Sequence, residues 1–338
     1  MKKYLFTFFI FIFLFDSAIS QGLIFDSAQF ASRASVRITR GPKPKSFSLK
    51  KYTPLVYPQV GSTCVAHSFA TARTILAAKS LGWTDKQKIT SIYFSPYYIY
   101  YRNKSDNDIG CNAGLNIEVA AKDVLQNGFA PIVDVEYPNY YPFTGQALCI
   151  EKNGVSYPPT MQEDQDAAAN YKIDDIYTVT TLQQLKTALS SGMPVAVIMY
   201  PPPSFSKVKT DLWAPPITEK VDKTIMAHAV LAIGYDDIKY GGSVEIMNSW
   251  GDTWGNKGFV SVKYKDYLKF FLGGYAFYMR DNAPSAKKNI PGIKDSAPQK
   301  VIDGSSGALA PSTINVKTGY ENGTVKFNNS ELLKAFKK

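Results

Sequence analysis

The sequence predicts an α+β protein with two lobes, because helical patterns gather in its first half and strand patterns in its second half. With 338 residues and 45% apolar composition the chain can bury a sizeable core, which excludes wholesale disorder. The net charge of +10 is spread along the chain without a run of five Lys or Arg residues. A dedicated nucleic-acid binder is therefore not expected.

The first half carries helix signals in its apolar spacing and in its flanking residues. Ser62 and Thr63 are candidate caps for the first of these helices, and Asn127-Gly128 is a stop signal for the last. Three helices are expected here: from Cys64 to about Lys79, from Ser95-Pro96, and from Asn116 to about Gln126.

The second half opens with one more helix and then turns to strands. Thr181 and Gln184 have the spacing of a capping box for a helix that ends near Leu189. Strands are expected over 194–200, 228–235, 244–247 and 258–262.

The N-terminus is typical of an export signal. Lys2 and Lys3 precede the twelve-residue apolar run Tyr4–Phe15, and small residues follow as far as Ser20. Twelve residues are too few to span a hydrocarbon core of about 30 Å, so no stable membrane anchor is expected. The sequence predicts a signal peptide over 1–20, cleavage after Ser20, and a secreted or periplasmic protein.

The rest of the chain divides into three parts. Residues 21–46 are polar and lack a long helical period, which predicts an extended leader. The compact body is expected over 47–280. Residues 281–338 form a basic, low-complexity tail that could bury little surface by itself.

A thiol, an imidazole and an amide form the candidate chemistry. A helix start beside a cationic imidazole lowers the pKa of a thiol, and Cys64 is placed at such a start. Taken alone this is weak, because a cysteine in a first helical turn is more often part of the core. His228 and, twenty residues later, Asn248 lie on or beside neighbouring predicted strands, where the amide can orient the ring. The chain has only two histidines, so a metal site is not expected, and no cofactor is needed.

Three motifs occur in the order GSTCVAHSFA, HAVLAIGYDD and NSWGDTWGNKGF, and together they resemble the papain-like cysteine peptidases over roughly residues 47–280. The resemblance implies a papain-like two-lobed fold. Its helical N-terminal lobe would carry the cysteine, and an antiparallel, β-barrel-like C-terminal lobe would carry the histidine and asparagine. It also implies hydrolysis of peptide or protein substrates through a thioester.

The resemblance assigns a role to each matching residue. Cys64 would be the nucleophile, His228 the general base and acid, and Asn248 the orienting amide. Trp250 would shield the hydrogen bond between the last two from water. Gln59 would donate to the oxyanion, but it stands five residues before the cysteine where the family usually has six.

The same resemblance implies a substrate-binding wall and a pocket. The backbone of Gly114 would pair with that of the substrate. The pocket would be lined by Leu115, Ile198, Met226 and Ala229, which are all apolar. A preference for an aliphatic or aromatic side chain in this pocket follows.

The two other cysteines, Cys111 and Cys149, resemble bridge cysteines of the family, but the usual partner of each is missing here. One hypothesis is that they pair with each other and leave Cys64 free. The alternative is two unpaired thiols.

Val65 and His67, which follow the nucleophile in the chain, depart from the family pattern. Val65 stands where the family usually has Trp, and His67 where it usually has Phe. We interpret His67 as packed in the core rather than as an alternative base.

The leader is much shorter than the helical pro-segment that the family generally carries. Either the enzyme is exported active, or the short leader or the basic tail occupies the cleft. A proteinaceous inhibitor is a candidate partner. An endopeptidase is the expected function, and the oligomeric state is left open. The alternatives are a catalytically inactive, peptidase-like binding protein and another Cys-His thiol enzyme, such as a transglutaminase or a cell-wall amidase.

Overall fold

The computed structural model describes residues 22–39, 41–108, 111–132 and 162–280, together with the strand residues 319–321 and 324–326. The predicted signal peptide, Cys149 and most of the predicted tail lie outside the described residues. Within them, no helix combines the length and apolar character that crossing a membrane requires.

The helices and strands are numbered here in chain order. The helices are α1 Ser27–Ser32, α2 Cys64–Leu81, α3 Lys86–Thr90, α4 Pro96–Asn103, α5 Ile117–Asn127, α6 Gln162–Ala169, α7 Leu182–Ser190, α8 Pro203–Ser206 and α9 Tyr264–Phe270. The strands are β1 Leu23–Ile24, β2 Ser46–Ser48, β3 Leu115–Asn116, β4 Asp175–Val179, β5 Val195–Met199, β6 Leu212–Trp213, β7 His228–Asp236, β8 Ser243–Met247, β9 Phe259–Lys263, β10 Phe271–Tyr278, β11 Gly319–Glu321 and β12 Thr324–Lys326.

Helix α2 is the central helix, and its residues are buried from Cys64 to Ala78. It begins at Cys64 as predicted, but neither candidate cap acts as one. Thr63 makes no capping bond, and its Oγ1 donates instead to the carbonyl of Val60 at 2.7 Å. The hydroxyl of Ser62 donates to the carbonyl of Asn112 at 2.9 Å. The cap prediction was therefore wrong, because tertiary partners take both hydroxyls.

The remaining predicted helices are confirmed. Helix α4 begins at Pro96 and α5 at Ile117, with Ser95 and Asn116 as their side-chain caps. Helix α7 begins after Thr181 with the predicted capping box, in which Thr181 and Gln184 bond reciprocally.

A large mixed sheet forms the other layer, in the order β4-β10-β5-β7-β8-β9-β6, with β2 added along the far end of β7. Its described pairs are antiparallel except for β6 with β9. Helix α2 packs on β7 and β5. In the pairing of β7 with β8, Leu231 lies opposite Met247, so the chain leaving β8 at Asn248 runs beside the start of β7 at His228. The α+β prediction is confirmed, and this register brings two predicted site residues together.

The leader differs from the extended segment that was predicted. Its strand β1 pairs in parallel with β3, and helix α1 follows with Asp26 as its N-cap. Phe30 of α1 packs edge-on against Tyr275 of β10, with ring centroids 5.3 Å apart. The Arg33 guanidinium binds the Glu118 carboxylate of α5 at 2.6 Å. A short helix forms here because the body provides an apolar surface and a carboxylate for it.

Candidate active site

Cys64 is the first residue of α2 and carries a free thiol that is completely buried. Its sulfur accepts a hydrogen bond from the backbone N–H of Ala229, on β7, at 3.4 Å. Burial raises the pKa of this thiol from 9.0 to about 11, although the N–H groups of Ala229 and Gly22 act in the opposite direction. The lowered pKa expected from the helix start is therefore not found in this form, because loss of water outweighs the helix dipole.

His228 begins β7, and its ring is held in one tautomer. Its Nε2–H donates to the Oδ1 of Asn248 at 2.9 Å, which leaves Nδ1 as the nitrogen that can accept a proton. Among the described residues, no group forms a hydrogen bond with this Nδ1. Burial lowers the pKa of the imidazole from 6.5 to about 4. In this form the thiol and the imidazole are both neutral at pH 7.

Trp250 covers the imidazole of His228. The two rings stack with centroids 4.5 Å apart and planes inclined by 22°. Phe205 and Trp254 contact the indole at larger angles, and the Trp254 Nε1–H donates to the carbonyl of Phe205. This aromatic cluster places Trp250 where it can keep water from the bond between His228 and Asn248.

Gln59 lies beside the chain that follows Asn248. Its backbone N–H donates to the carbonyl of Ser249, and its Oε1 accepts from the hydroxyl of the same serine at 2.6 Å. Its Nε2 donates to the carbonyl of Gly61 at 2.9 Å. The amide is thus engaged in the loop before Cys64, and its oxyanion role stays a prediction. Sequence reasoning missed Ser249 as a partner, although it directly follows Asn248.

The residues predicted for the substrate pocket lie on two sides of strand β1 of the leader, with β3 on one side and the start of β7 on the other. The space between these two sides is called the cleft here. Ile198 of β5 and Ala229 of β7 are register partners, and both are fully buried. Leu115 of β3 is also fully buried, whereas Met226 is 38% exposed. The leader joins the two sides, because Leu23 pairs with Leu115 and also forms an antiparallel bridge with Ala227.

Two glycines allow the leader to enter the cleft. The carbonyl of Gly22 accepts from the N–H of Leu115 at 2.8 Å, and the Leu23 N–H donates to the Ala227 carbonyl at 3.0 Å. A Cβ on Gly22 would lie 1.8 Å from the carbonyl oxygen of Ser62, and a Cβ on Gly114 would lie 2.5 Å from that of Gly22. Only a glycine fits at either position, so the leader's own backbone occupies the site beside Cys64. The sequence had left this open between the leader, the tail and an empty cleft.

His67 lies in the core, as predicted. It is 3% exposed, its Nδ1 lies 3.2 Å from the carbonyl oxygen of Thr63, and its ring meets Tyr97 edge-on. Burial lowers the pKa of this imidazole to about 4, so it is neutral at pH 7.

The predicted disulfide joins Cys111 and Cys149. Cys111 is buried and has a positive φ of 53°, and Cys149 lies outside the described residues. Their pairing stays a prediction. Among the described residues no group of three or more His, Cys, Asp or Glu side chains is arranged to hold a metal ion.

The site's residues fall within a stretch that a family model recognises. The model described as papain family cysteine protease matches residues 64–271, which is more than half of the chain. The chain belongs to the papain family of cysteine proteases. This family membership indicates a hydrolase.

Distant relatives of this papain-family chain come from several kinds of organism. Cysteine proteinase 1 of Entamoeba histolytica is 27% identical over 162 residues, which are 47% of this chain and 44% of that protein. An uncharacterized peptidase C1-like protein, L477, of Acanthamoeba polyphaga mimivirus is 26% identical over 245 residues, which are 68% of this chain and 73% of the viral protein. The match therefore spans less than half of the Entamoeba protein.

Solved structures of papain-like proteases share the fold. Xylellain, a cysteine protease from Xylella fastidiosa, has a TM-score of 0.61 at 21% identity, covering 77% of this chain and 96% of xylellain. ProCathepsin B S9 from Trypanosoma congolense has a TM-score of 0.57 at 15% identity, covering 77% and 87%. These likenesses confirm the predicted papain-like fold.

Proposed function

We propose that this papain-family chain is an exported cysteine peptidase that hydrolyses peptide bonds through a thioester on Cys64 and is held latent by its own leader. One observation carries the proposal: a free thiol at the start of α2 lies against the strand of His228, whose ring Asn248 orients. The acceptor nitrogen of the imidazole is thereby left for the thiol proton.

The reaction follows from this arrangement. Nδ1 of His228 takes the thiol proton, and the sulfur forms a bond with the substrate carbonyl carbon. When the C–N bond breaks, the imidazolium returns the proton to the leaving amine. A water molecule then gives a proton to Nδ1 while its oxygen displaces the sulfur, which recovers that proton. The backbone N–H of Cys64 and the amide of Gln59 are the proposed donors to the oxyanion.

Latency has an electrostatic as well as a steric part. With the leader in place, burial raises the pKa of Cys64 to about 11 and lowers that of His228 to about 4, so the pair is neutral. A thiolate and an imidazolium need water or polar groups around them. Departure of Gly22 and Leu23 from the cleft would both admit substrate and hydrate the two groups.

The leader also indicates the substrate class. Leu23 is 2% exposed and lies between Leu115 and Ala227, and Ala227 is two residues before the buried pocket residue Ala229. An apolar side chain is therefore favoured at the substrate position that Leu23 now occupies. An endopeptidase would bind such a side chain within an extended stretch of its substrate. Profiling with a peptide library should give aliphatic or aromatic side chains there, and an acidic or basic preference would contradict this.

Export is proposed from the sequence of residues 1–20. N-terminal sequencing of the protein recovered outside the producing cells should begin at Gln21, two residues before Leu23. Recovery of the chain inside the cells with Met1 intact would contradict the proposal.

A catalytically inactive, peptidase-like binding protein is the second candidate. It is favoured by the amide of Gln59, whose Nε2 donates to the carbonyl of Gly61 at 2.9 Å and is thus engaged in the loop before Cys64. Such a protein would bind peptides in the same cleft without forming a bond to Cys64.

Labelling with an irreversible epoxysuccinyl peptide separates the two candidates. The protein is incubated with the label under reducing conditions, and the labelled residue is then located by mass mapping. Four proteins are compared: the wild type, the leader variant Gly22→Ala, Cys64→Ala and His228→Ala. A peptidase gives an adduct at Cys64 that requires His228 and forms faster when the leader is displaced. A folded Gly22→Ala protein that forms no adduct would establish the binding protein instead.

A further inference from the structure

The cleft wall at residues 112–114 is held from behind by two buried side chains. The Asp108 carboxylate accepts from the backbone N–H of Asn112 at 2.8 Å and of Ala113 at 3.3 Å. The Tyr100 hydroxyl accepts from the N–H of Gly114 at 3.1 Å and donates to Asp108 at 2.6 Å. Three successive amides of the wall are therefore bound by one tyrosine and aspartate pair.

This pair belongs to the core and not to the surface of the cleft. Tyr100, on α4, is fully buried, and Asp108 is 6% exposed. Burial and the neighbouring carboxylate raise the pKa of the Tyr100 phenol far above its usual value, so its proton stays available for Asp108. A hydrogen bond to a buried carboxylate is stronger than one between neutral groups, which makes the pair a firm support.

The next amide in the row faces the other way. The N–H of Leu115 donates to the Gly22 carbonyl of the leader at 2.8 Å. The family resemblance had implied Gly114 as the backbone partner of a substrate, but its N–H points inward to Tyr100. The backbone donor that this wall presents to a chain bound in the cleft is thus the N–H of Leu115.

The wall is also fixed with respect to the nucleophile. Ser62, two residues before Cys64, donates through its N–H to the carbonyl of Cys111 at 2.6 Å and through its hydroxyl to that of Asn112 at 2.9 Å. The supports from Tyr100 and Asp108 therefore set where a peptide bound to the wall lies with respect to Cys64.

We infer that Tyr100 and Asp108 are positioning residues that hold the wall so that the Leu115 N–H binds a carbonyl of an extended peptide. The inference rests on the proposed function of the same cleft. Neither side chain contacts the reacting atoms, so they act on peptide binding and leave the chemical step alone.

The test is Tyr100→Phe, placed in the Gly22→Ala chain so that the leader does not compete with substrate. Phenylalanine keeps the ring but leaves the Gly114 N–H without its partner and removes the hydrogen bond to Oδ2 of Asp108. We expect KM for a peptide substrate to rise about tenfold, the equivalent of one hydrogen bond to a charged group, with kcat within about twofold. Tyr267→Phe is the matched control, because it truncates another buried tyrosine on α9 and should change neither constant.

An unchanged KM in Tyr100→Phe would overturn the inference, and so would a fall in kcat as large as the rise in KM. If the Gly22→Ala parent hydrolyses no peptide, the proposed function fails. Amide hydrogen exchange in the full chain then tests separately whether Tyr100 positions the cleft wall. Exchange at the Leu115 amide should then be about tenfold faster in Tyr100→Phe than in Tyr267→Phe, since the leader bond depends on the same support. Equal exchange rates in the two variants would refute the positioning role.

Discussion

Replacing Gly22 by alanine should open the cleft. The new Cβ would lie 1.8 Å from the carbonyl oxygen of Ser62 and 2.2 Å from its carbon, and these are backbone atoms that cannot move aside cheaply. Gly114 also lies close to Gly22, since a Cβ on Gly114 would be 2.5 Å from the Gly22 carbonyl oxygen, so the leader backbone has little room to shift within the cleft. The leader must therefore leave its seat beside Cys64.

The structure sets the size of the effect. When the leader leaves the cleft, it loses two backbone hydrogen bonds, of about 1 kcal/mol each, and the burial of Leu23, worth about 2 kcal/mol. The equilibrium between the covered and the open cleft would shift by about 4 kcal/mol, or up to roughly 10³-fold. Opening also hydrates Cys64 and lowers its pKa from about 11, so more thiolate is present at pH 7.

The assay is the second-order rate of Cys64 alkylation by iodoacetamide at pH 7, read by mass spectrometry. Ile24→Ala is the matched control, because Ile24 lies in the same strand and is 47% exposed, so its truncation should leave the rate unchanged. Gly22→Ala should react at least tenfold faster than both the control and the wild type. If Gly22→Ala is folded and reacts at the wild-type rate, the leader does not control access to Cys64.

Two further predictions concern the ion pair that joins Arg33 of the leader to Glu118 and the buried imidazole of His67. Arg33→Gln leaves Glu118 buried without its partner whenever the leader docks, which should weaken docking by about 3 kcal/mol and speed amide exchange over α1. Breaking the exposed pair with Lys50→Gln should cost less than about 1 kcal/mol, and equal effects would contradict the argument. For pH, the pKa of His67 is lowered from 6.5 to about 4, so its contribution to stability is present above pH 6.5 and is lost as the pH falls to about 4. In His67→Phe the free energy of unfolding, measured by urea titration, should fall by about 3 kcal/mol less between pH 6.5 and pH 4 than in the wild type. An equal fall in the two proteins would show that His67 is not buried as a neutral ring.

Local signals in the sequence were enough for the elements that carry the site. The helix from Cys64, the capping box at Thr181 and the strand from His228 were predicted, because apolar spacing and caps act over a few residues. The family motifs then identified Asn248 as the partner of His228, and the structure joins them by a hydrogen bond. Their catalytic roles remain part of the proposal.

Other features depend on residues that are far apart in the chain, which local patterns cannot report. Gln59 bonds with Ser249 at a separation of 190 residues, and this contact turns its amide into the loop before Cys64. The row of amides that ends at Gly114 is held by Asp108 and Tyr100, and neither residue had a sequence signal of function.

The sequence by itself determined the family, the fold class and the identity of the candidate catalytic residues, since these are written in motifs and in periodic patterns. Only the tertiary structure decided the state of that site. Packing brings Gly22 of the leader against Ser62 and Gly114, and the complete burial of Cys64 raises the pKa of its thiol, where the helix start alone predicted a lower one. The physical reason is that solvation of a charge depends on everything packed around it, whereas a motif records only the residues beside it in the chain.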